Sequence, residues 1–391
     1  LKKLIMAVYK LFPLQDATIY SFYRYMNTGI DPIIEVGNLN VNINPVPQVF
    51  RFLVEFDQSE INSLVDNTIG GAQFSSSLKC FVANAQGVDF DSCLEIYPIS
   101  WRNGTGTYLD VPITTNGVSW VAQTYSGSGG QNWDLSSWDA AGTYVTASWS
   151  GSNNQGGGTW YTGSLDTNAQ IEVSQCFTLR SEKDLNVNVT DIVKTWYSSS
   201  KSIDGTYTRI VNDGFIVKWE DAIEFSTADA IQPIIQFYSV DTNTIYPPTL
   251  EISWDDQVFS PGNLKALYTT DFFAALDSNP GIFYSESVNR FRVNVRPQFP
   301  VRIFQTASID TTNYYLNSSS LYSVKDLDTN ETVINFDNQF TKLSCDSSGN
   351  YFDLYMNGLE PERYYKILIQ TTISGSTIVK DDNYIFKVVN R

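Results

Sequence analysis

The 391-residue chain contains no histidine. That removes the commonest general base, the histidine-dependent serine and cysteine triads, and every histidine-bearing zinc or haem site. Any catalysis would have to rest on carboxylates. Positive charge is also scarce: 25 Lys and Arg stand against 42 Asp and Glu, a formal net charge of −17. Such a surface repels nucleic-acid phosphates and anionic membranes unless a local basic stripe intervenes, and the sequence shows none. Neither a nucleic acid nor a membrane is therefore expected as a partner. The four cysteines, Cys80, Cys93, Cys176 and Cys345, lie far apart without a CxxC, so they form no zinc or redox motif. They read as buried free thiols, with a Cys80–Cys93 hairpin bridge as the open alternative. Long hydrophobic runs are missing too. The apolar stretch near the start ends at Lys10, too short for the hydrophobic region of a signal peptide, and nothing later approaches the roughly 20 apolar residues of a membrane span. A soluble protein without an export signal is expected, with translation starting at Met6.

What is present is material for a core: 42% hydrophobic and 14% aromatic residues, which is not the composition of a disordered chain. The length suggests two or three domains at about 150 residues each. Period-two alternation with β-branched and aromatic residues recurs between clusters of Gly, Asn, Ser and Pro, as in 50–56, 94–97, 214–219, 234–238 and 291–295. Helix signals are few. The best runs from Thr190 to Tyr197, where Thr190 can cap, Asp191 suits the positive end of the helix dipole, and Ile192, Val193 and Trp196 share a face. A second short helix is expected near Gln58 to Leu64. The fold class is all-β.

All nine tryptophans lie before residue 255, which marks a domain boundary. The segment 257–286 contains Ser260-Pro261-Gly262 and Asn279-Pro280-Gly281, both turn formers, and reads as a structured linker. Residues 101–165 are rich in Gly, Ser, Asn and Trp. Two readings stay open there: loops pinned to a sandwich edge by their tryptophans, or an exposed aromatic platform for sugar rings or a protein partner, built from Trp101, Trp120, Trp133, Trp138, Trp149 and Trp160.

Several strings carry resemblances. Asp16-Ala17-Thr18, Asn27-Thr28-Gly29-Ile30-Asp31, Arg51-Phe52-Leu53-Val54-Glu55-Phe56-Asp57, Val189-Thr190-Asp191-Ile192-Val193 with Trp196, and Gly214-Phe215-Ile216-Val217 follow one another in order. This order resembles the DNRLRE-type β-sandwich of secreted bacterial surface proteins and carbohydrate-binding modules, over about residues 16–256. It implies a jelly-roll-like sandwich, preceded by an N-terminal arm at 1–15. Asp16, Asp31, Asp57 and Asp191 are acids that a calcium ion could recruit, but capping and turn roles are the plainer reading, so no cofactor is expected.

Longer strings, Tyr97-Pro98-Ile99-Ser100-Trp101-Arg102-Asn103-Gly104, Gly156-Gly157-Gly158-Thr159-Trp160-Tyr161 and Ile245-Tyr246-Pro247-Pro248-Thr249-Leu250-Glu251-Ile252-Ser253-Trp254, look like virion structural proteins of marine tailed phages, notably those infecting cyanobacteria. Residues 287–391 resemble an immunoglobulin or fibronectin type III sandwich through Leu359-Glu360-Pro361-Glu362-Arg363-Tyr364-Tyr365. That resemblance implies that Tyr365 folds back onto the backbone, with Ile367 and Ile369 on its face.

Together these resemblances imply a non-enzymatic part of a virion (capsid, neck or tail) that docks to other virion proteins and forms a homo-oligomer. The alternative is a receptor-recognition protein that binds host-surface polysaccharide through the tryptophan-rich loops. A carboxylate-based glycan hydrolase is a third class, and it would need two acids about 5 to 9.5 Å apart in a cleft.

Overall fold

A computed structural model describes residues 7–39, 48–71, 73–99, 101–102, 104–107, 116–126, 129–133, 144–146, 156–162, 171–201, 210–226, 228, 232–254, 257–277, 280–299, 313–338 and 340–390. The protein is all-β, with curled sheets of the β-sandwich class. Residues 11–251 form one compact unit, and residues 1–10 with 252–391 form a second. Among the described residues no helix is long and apolar enough to cross a membrane.

Strand β1 (Ala7–Leu11) lies almost wholly in the second unit. The first unit opens with β2 (Pro13–Tyr20), β3 (Ile33–Leu39) and β4 (Gln48–Phe56). Helix α1 (Gln58–Ser63) follows, then β5 (Ser75–Cys80), β6 (Val82–Gln86) and β7 (Ser92–Pro98). The hairpin β8 (Ala122–Ser126) and β9 (Gly129–Asn132) and the pair β10 (Tyr144–Thr146) and β11 (Trp160–Thr162) lie in the tryptophan-rich excursion. The chain continues through β12 (Val173–Phe177), β13 (Leu185–Asn188), α2 (Thr190–Lys201), β14 (Phe215–Trp219), α3 (Asp221–Glu224), β15 (Ile234–Tyr238) and β16 (Thr249–Trp254). The main sheet has the order β12-β7-β14-β4-β3-β15-β6, with β2 also paired to β4. In a smaller sheet β5 pairs antiparallel with β13.

Strand β4 explains its own imperfect alternation. Val49 through Val54 are all buried because both faces of this strand are covered. On one face Phe52 meets Phe237 and Phe56 meets Phe215, which in turn packs on Trp196 of α2 at 4.6 Å. On the other, Val49 and Leu53 join Ala17, Ile19, Ile216, Trp101, Trp120, Trp133 and Trp160 in one apolar cluster.

Helix α2 starts where its sequence signal starts but runs on to Lys201. Thr190, expected as its cap, instead uses Oγ1 to accept a hydrogen bond from the Ser76 amide at 2.8 Å, and the Asn188 side chain accepts from the Thr190 amide. The hydroxyl thereby ties the helix to β5. Helix α1 is capped by Asp57, which accepts from the Ser59 amide at 2.7 Å.

In the second unit β17 (Lys265–Ala266), β18 (Phe272–Leu276), β19 (Ile282–Tyr284), β20 (Val288–Pro297), β21 (Tyr314–Tyr315), β22 (Leu321–Asp326), β23 (Thr332–Ile334), β24 (Ser344–Asp346), β25 (Gly349–Tyr355), β26 (Tyr364–Ile373), β27 (Ser376–Lys380) and β28 (Ile385–Val389) build two sheets. One has the order β17-β21-β20-β25-β24 with β18 on β20, and the other β19-β28-β26-β22-β23 with β27 on β26. Residues 257–286, read from the sequence as a linker, thus supply strands to both. The residues expected as an arm include β1, where Tyr9 meets the Tyr355 ring edge-on and the Lys10 carbonyl accepts from Asn357.

Between the sheets Phe291 stacks on Phe352, which stacks on Tyr322, and Phe386 and Tyr365 close the cluster. The Tyr365 hydroxyl donates to the Glu360 carbonyl at 2.9 Å, the corner that the resemblance carried by residues 359–365 implies. Ile367 and Ile369 are buried beside it. Removing the hydroxyl in Tyr365→Phe leaves the ring packed and orphans one carbonyl, so the unit is expected to lose about 1 kcal/mol in denaturant unfolding.

Candidate functional site

The chemistry of the first unit concentrates on the face of the main sheet that the tryptophan-rich excursion covers. The register places Ile19 beside Arg51 on β2 and β4, and Lys218 beside Glu95 on β14 and β7. Because side chains alternate along a strand, Arg51, Lys218 and Glu95 point to the same side as Leu53, Ile216 and Tyr97. Into this row α3 sends Glu224. Arg51 and Glu224 are both fully buried and meet in a two-pronged pair, Nε to Oε1 at 2.7 Å and Nη2 to Oε2 at 2.8 Å. Lys218, also buried, stands 3.6 Å from Glu224 and 2.9 Å from both Glu95 and Asp221. Burial works against its charge, but the three carboxylates outweigh it and hold the lysine pKa above its ordinary value.

The guanidinium of Arg51 lies 5.1 Å from the ring centres of both Trp120 and Trp160, and Nη1 donates to the Gly157 carbonyl. Glycine is required there by space and conformation together. Gly156, Gly157 and Gly158 have φ of 129°, 85° and 108°, and a Cβ on Gly157 would lie 2.6 Å from the Trp120 ring. The Gly-Gly-Gly-Thr-Trp run is therefore the lid of a buried charge cluster.

This settles the described tryptophans. Trp101, Trp120, Trp133 and Trp160 are 0–3% exposed, so none of them offers a face to a sugar or a partner, and of the two readings left open the exposed platform is corrected, for these four, to packing against the sheet. The Trp133 indole donates to the Ser119 carbonyl at 2.9 Å. Trp138 and Trp149 lie outside the described residues.

The four acids considered for calcium do separate jobs. Asp57 caps α1, Asp191 opens α2, and the Asp31 carbonyl accepts from the Ser239 hydroxyl. Asp16 is fully buried; one carboxyl oxygen accepts from the Val240 amide at 2.6 Å, and the other has no hydrogen-bond partner among the described residues. Burial, with Asp241 adding to it and the Val240 amide opposing, pushes its pKa up to about 8. Among the described residues no three acidic or cysteine side chains come close enough together to hold a metal ion.

Cys93 and Cys176, read from the sequence as buried free thiols, form a disulfide with each other, and the alternative Cys80–Cys93 bridge is not formed; Cys80 and Cys345 are buried free thiols. Nothing in the sequence places Cys176 opposite Cys93, because the pairing depends on β12 returning to β7 after the whole excursion. In the second unit Arg290 and Arg292 alternate on one face of β20, but bidentate pairs with Asp353 and Asp346 answer their charge. No protein-family description matches the chain, and no curated protein is similar to it.

Proposed function

We propose that the chain is a non-enzymatic structural component of a tailed-phage virion, located in the capsid, neck or tail, that assembles by docking to other virion proteins and to copies of itself. The observation that carries this reading is the set of long strings at 97–106, 156–162 and 244–256, which resemble virion proteins of marine phages. Support comes from the use the first unit makes of two of them. Trp101 and Trp160, with the glycines before the latter, are spent on covering a sheet and a buried ion cluster, a construction suited to a rigid part. The negative charge fits a solvated exterior and leaves nucleic-acid packaging to other chains.

Mass spectrometry of gradient-purified particles tests the proposal. The protein should co-purify with the major capsid and tail proteins at a copy number matching a rotational symmetry of the particle. Finding it free in the lysate and absent from particles overturns the reading.

A further inference from the structure

We infer that the Cys93–Cys176 bond is a late, reversible lock on the neck of the tryptophan-rich excursion, closed in the already folded protein by a small-molecule disulfide or another thiol oxidant.

Strand β7 leads into the excursion and β12 leads out of it, so the bond joins the two ends of a segment 83 residues apart in sequence. Closure needs no rearrangement. Cys176 and Cys93 are directly opposed in an antiparallel pairing that runs over five residue pairs. Strand β7 is held on its other side by β14, and β12 is held by buried Phe177 and by Gln175, whose side chain bonds the Asp184 carbonyl and the Asn186 amide. The excursion is itself pinned by Trp101, Trp120, Trp133 and Trp160 around Arg51. These contacts place the two sulfurs together whether or not they are bonded.

Selectivity follows from access. Cys176 is exposed, on the edge strand of the sheet, whereas Cys80 and Cys345 are buried. Burial also raises both buried thiols above their ordinary pKa, which keeps them out of thiolate chemistry. The folded chain therefore offers a single reactive pair. In the forward step the Cys176 thiolate attacks an oxidised glutathione, releasing one glutathione thiolate and leaving a mixed disulfide. The Cys93 thiolate then displaces the second glutathione from it. Two protein thiols are oxidised and one glutathione disulfide is reduced to two thiols, the two protons lost by the protein thiols ending on the two glutathione thiolates. Excess dithiol reverses the exchange.

The test uses the full chain made in a reducing cytosol, purified without oxygen, and divided before and after exposure to oxidised glutathione. Alkylation after denaturation should count four thiols before oxidation and two after, the lost pair being Cys93 and Cys176. Alkylation of the native reduced protein should modify Cys176 and spare Cys80 and Cys345. The near-UV signal of the tryptophans should be the same in both samples, and β12 should be cut more slowly by protease in the oxidised one. A reduced chain that lacks the native near-UV signal overturns the inference, as does a bond that closes only in denaturant or a lost pair that includes Cys80 or Cys345. The Cys93→Ser/Cys176→Ser variant is a second readout: it should keep the native near-UV signal, and failure to fold also overturns the inference.

Discussion

Arg51→Met is expected to lower the unfolding free energy of the first unit by about 3–5 kcal/mol, the usual consequence of removing one partner from a buried ion pair. Three contacts go at once: both prongs to Glu224, the bond to the Gly157 carbonyl, and the cation between the indoles of Trp120 and Trp160. The carboxylate of Glu224 is then left with Lys218 at 3.6 Å as its nearest compensation. The size of the loss comes from the stranded charge more than from the net worth of the pair. Arg51→Met combined with Glu224→Gln should accordingly recover much of the loss, leaving Lys218 to Glu95 and Asp221. Denaturant unfolding of the two single variants and the double variant gives the coupling directly. Tryptophan fluorescence should change in Arg51→Met before any global loss of structure, since two indoles lose the group between them. The pair Arg290–Asp353, whose arginine is partly exposed, is the contrast, and Arg290→Met should cost clearly less than Arg51→Met. Equal losses at Arg51 and Arg290 would show that the buried cluster is not what holds the excursion to the sheet.

Asp16→Asn is expected to stabilise the first unit at neutral pH and to leave it almost unchanged near pH 4. The carboxyl titrates at about 8 when folded, against about 4 in an unfolded chain. Between those values the folded state keeps a proton that the unfolded state has released. Folding therefore binds a proton in this window, and stability falls as pH rises from about 4 to 8 and then levels off. At roughly 1.4 kcal/mol per unit, the cost at pH 7 is on the order of 4 kcal/mol, an upper figure. Asparagine keeps an acceptor for the Val240 amide and has no charge to bury, so the slope between about pH 6 and 8 should flatten in the variant, while the part below pH 6 keeps the contribution of Glu55, which burial pushes up to about 6. Urea unfolding at intervals from pH 4 to pH 9 measures this. A parallel offset between variant and parent at every pH would refute the assignment. Asp326 and Asp346, held below the ordinary carboxylate range in the second unit, work in the opposite sense: their contribution is lost as pH drops below about 4.

Much of the framework could be read from the chain, because it rests on local periodicity. The runs at 50–56, 94–97, 214–219, 234–238 and 291–295 all fall in or across strands, and both helices lie where the sequence puts them, although Thr190 is the first residue of α2 and does not act as its cap. The Tyr365 corner followed from the resemblance that residues 359–365 carry. The tryptophans were harder, since an indole bound for a core and one bound for a surface look alike in composition. A three-glycine run shortly before Trp160 was the available hint, as it lets backbone approach a ring where a side chain would collide. Glu224 and Lys218 carried no signal of a buried charge, and Asp16 stood out only as an acid that calcium could recruit. Their burial depends on partners 173, 123 and 224 positions away, and an acid in a 42-acid chain does not announce which few leave water.

The pairing of β19 with β28 bears on biosynthesis. Ile282 lies opposite Lys387 and Tyr284 opposite Val389, in parallel. A ribosome must therefore deliver more than a hundred residues after the strand at 282–284 appears before that strand finds its neighbour. Until then an apolar edge that includes Phe283 waits unpaired, while the first unit already has every strand of its main sheet outside the exit tunnel. Such long-range closure is slow and exposes sticky surface. The first unit faces a longer closure still, since Ile34 on β3 waits for Phe237 on β15, so each unit leaves apolar edges open until a distant strand emerges, and a chaperone or a cool growth temperature should matter to the yield of both.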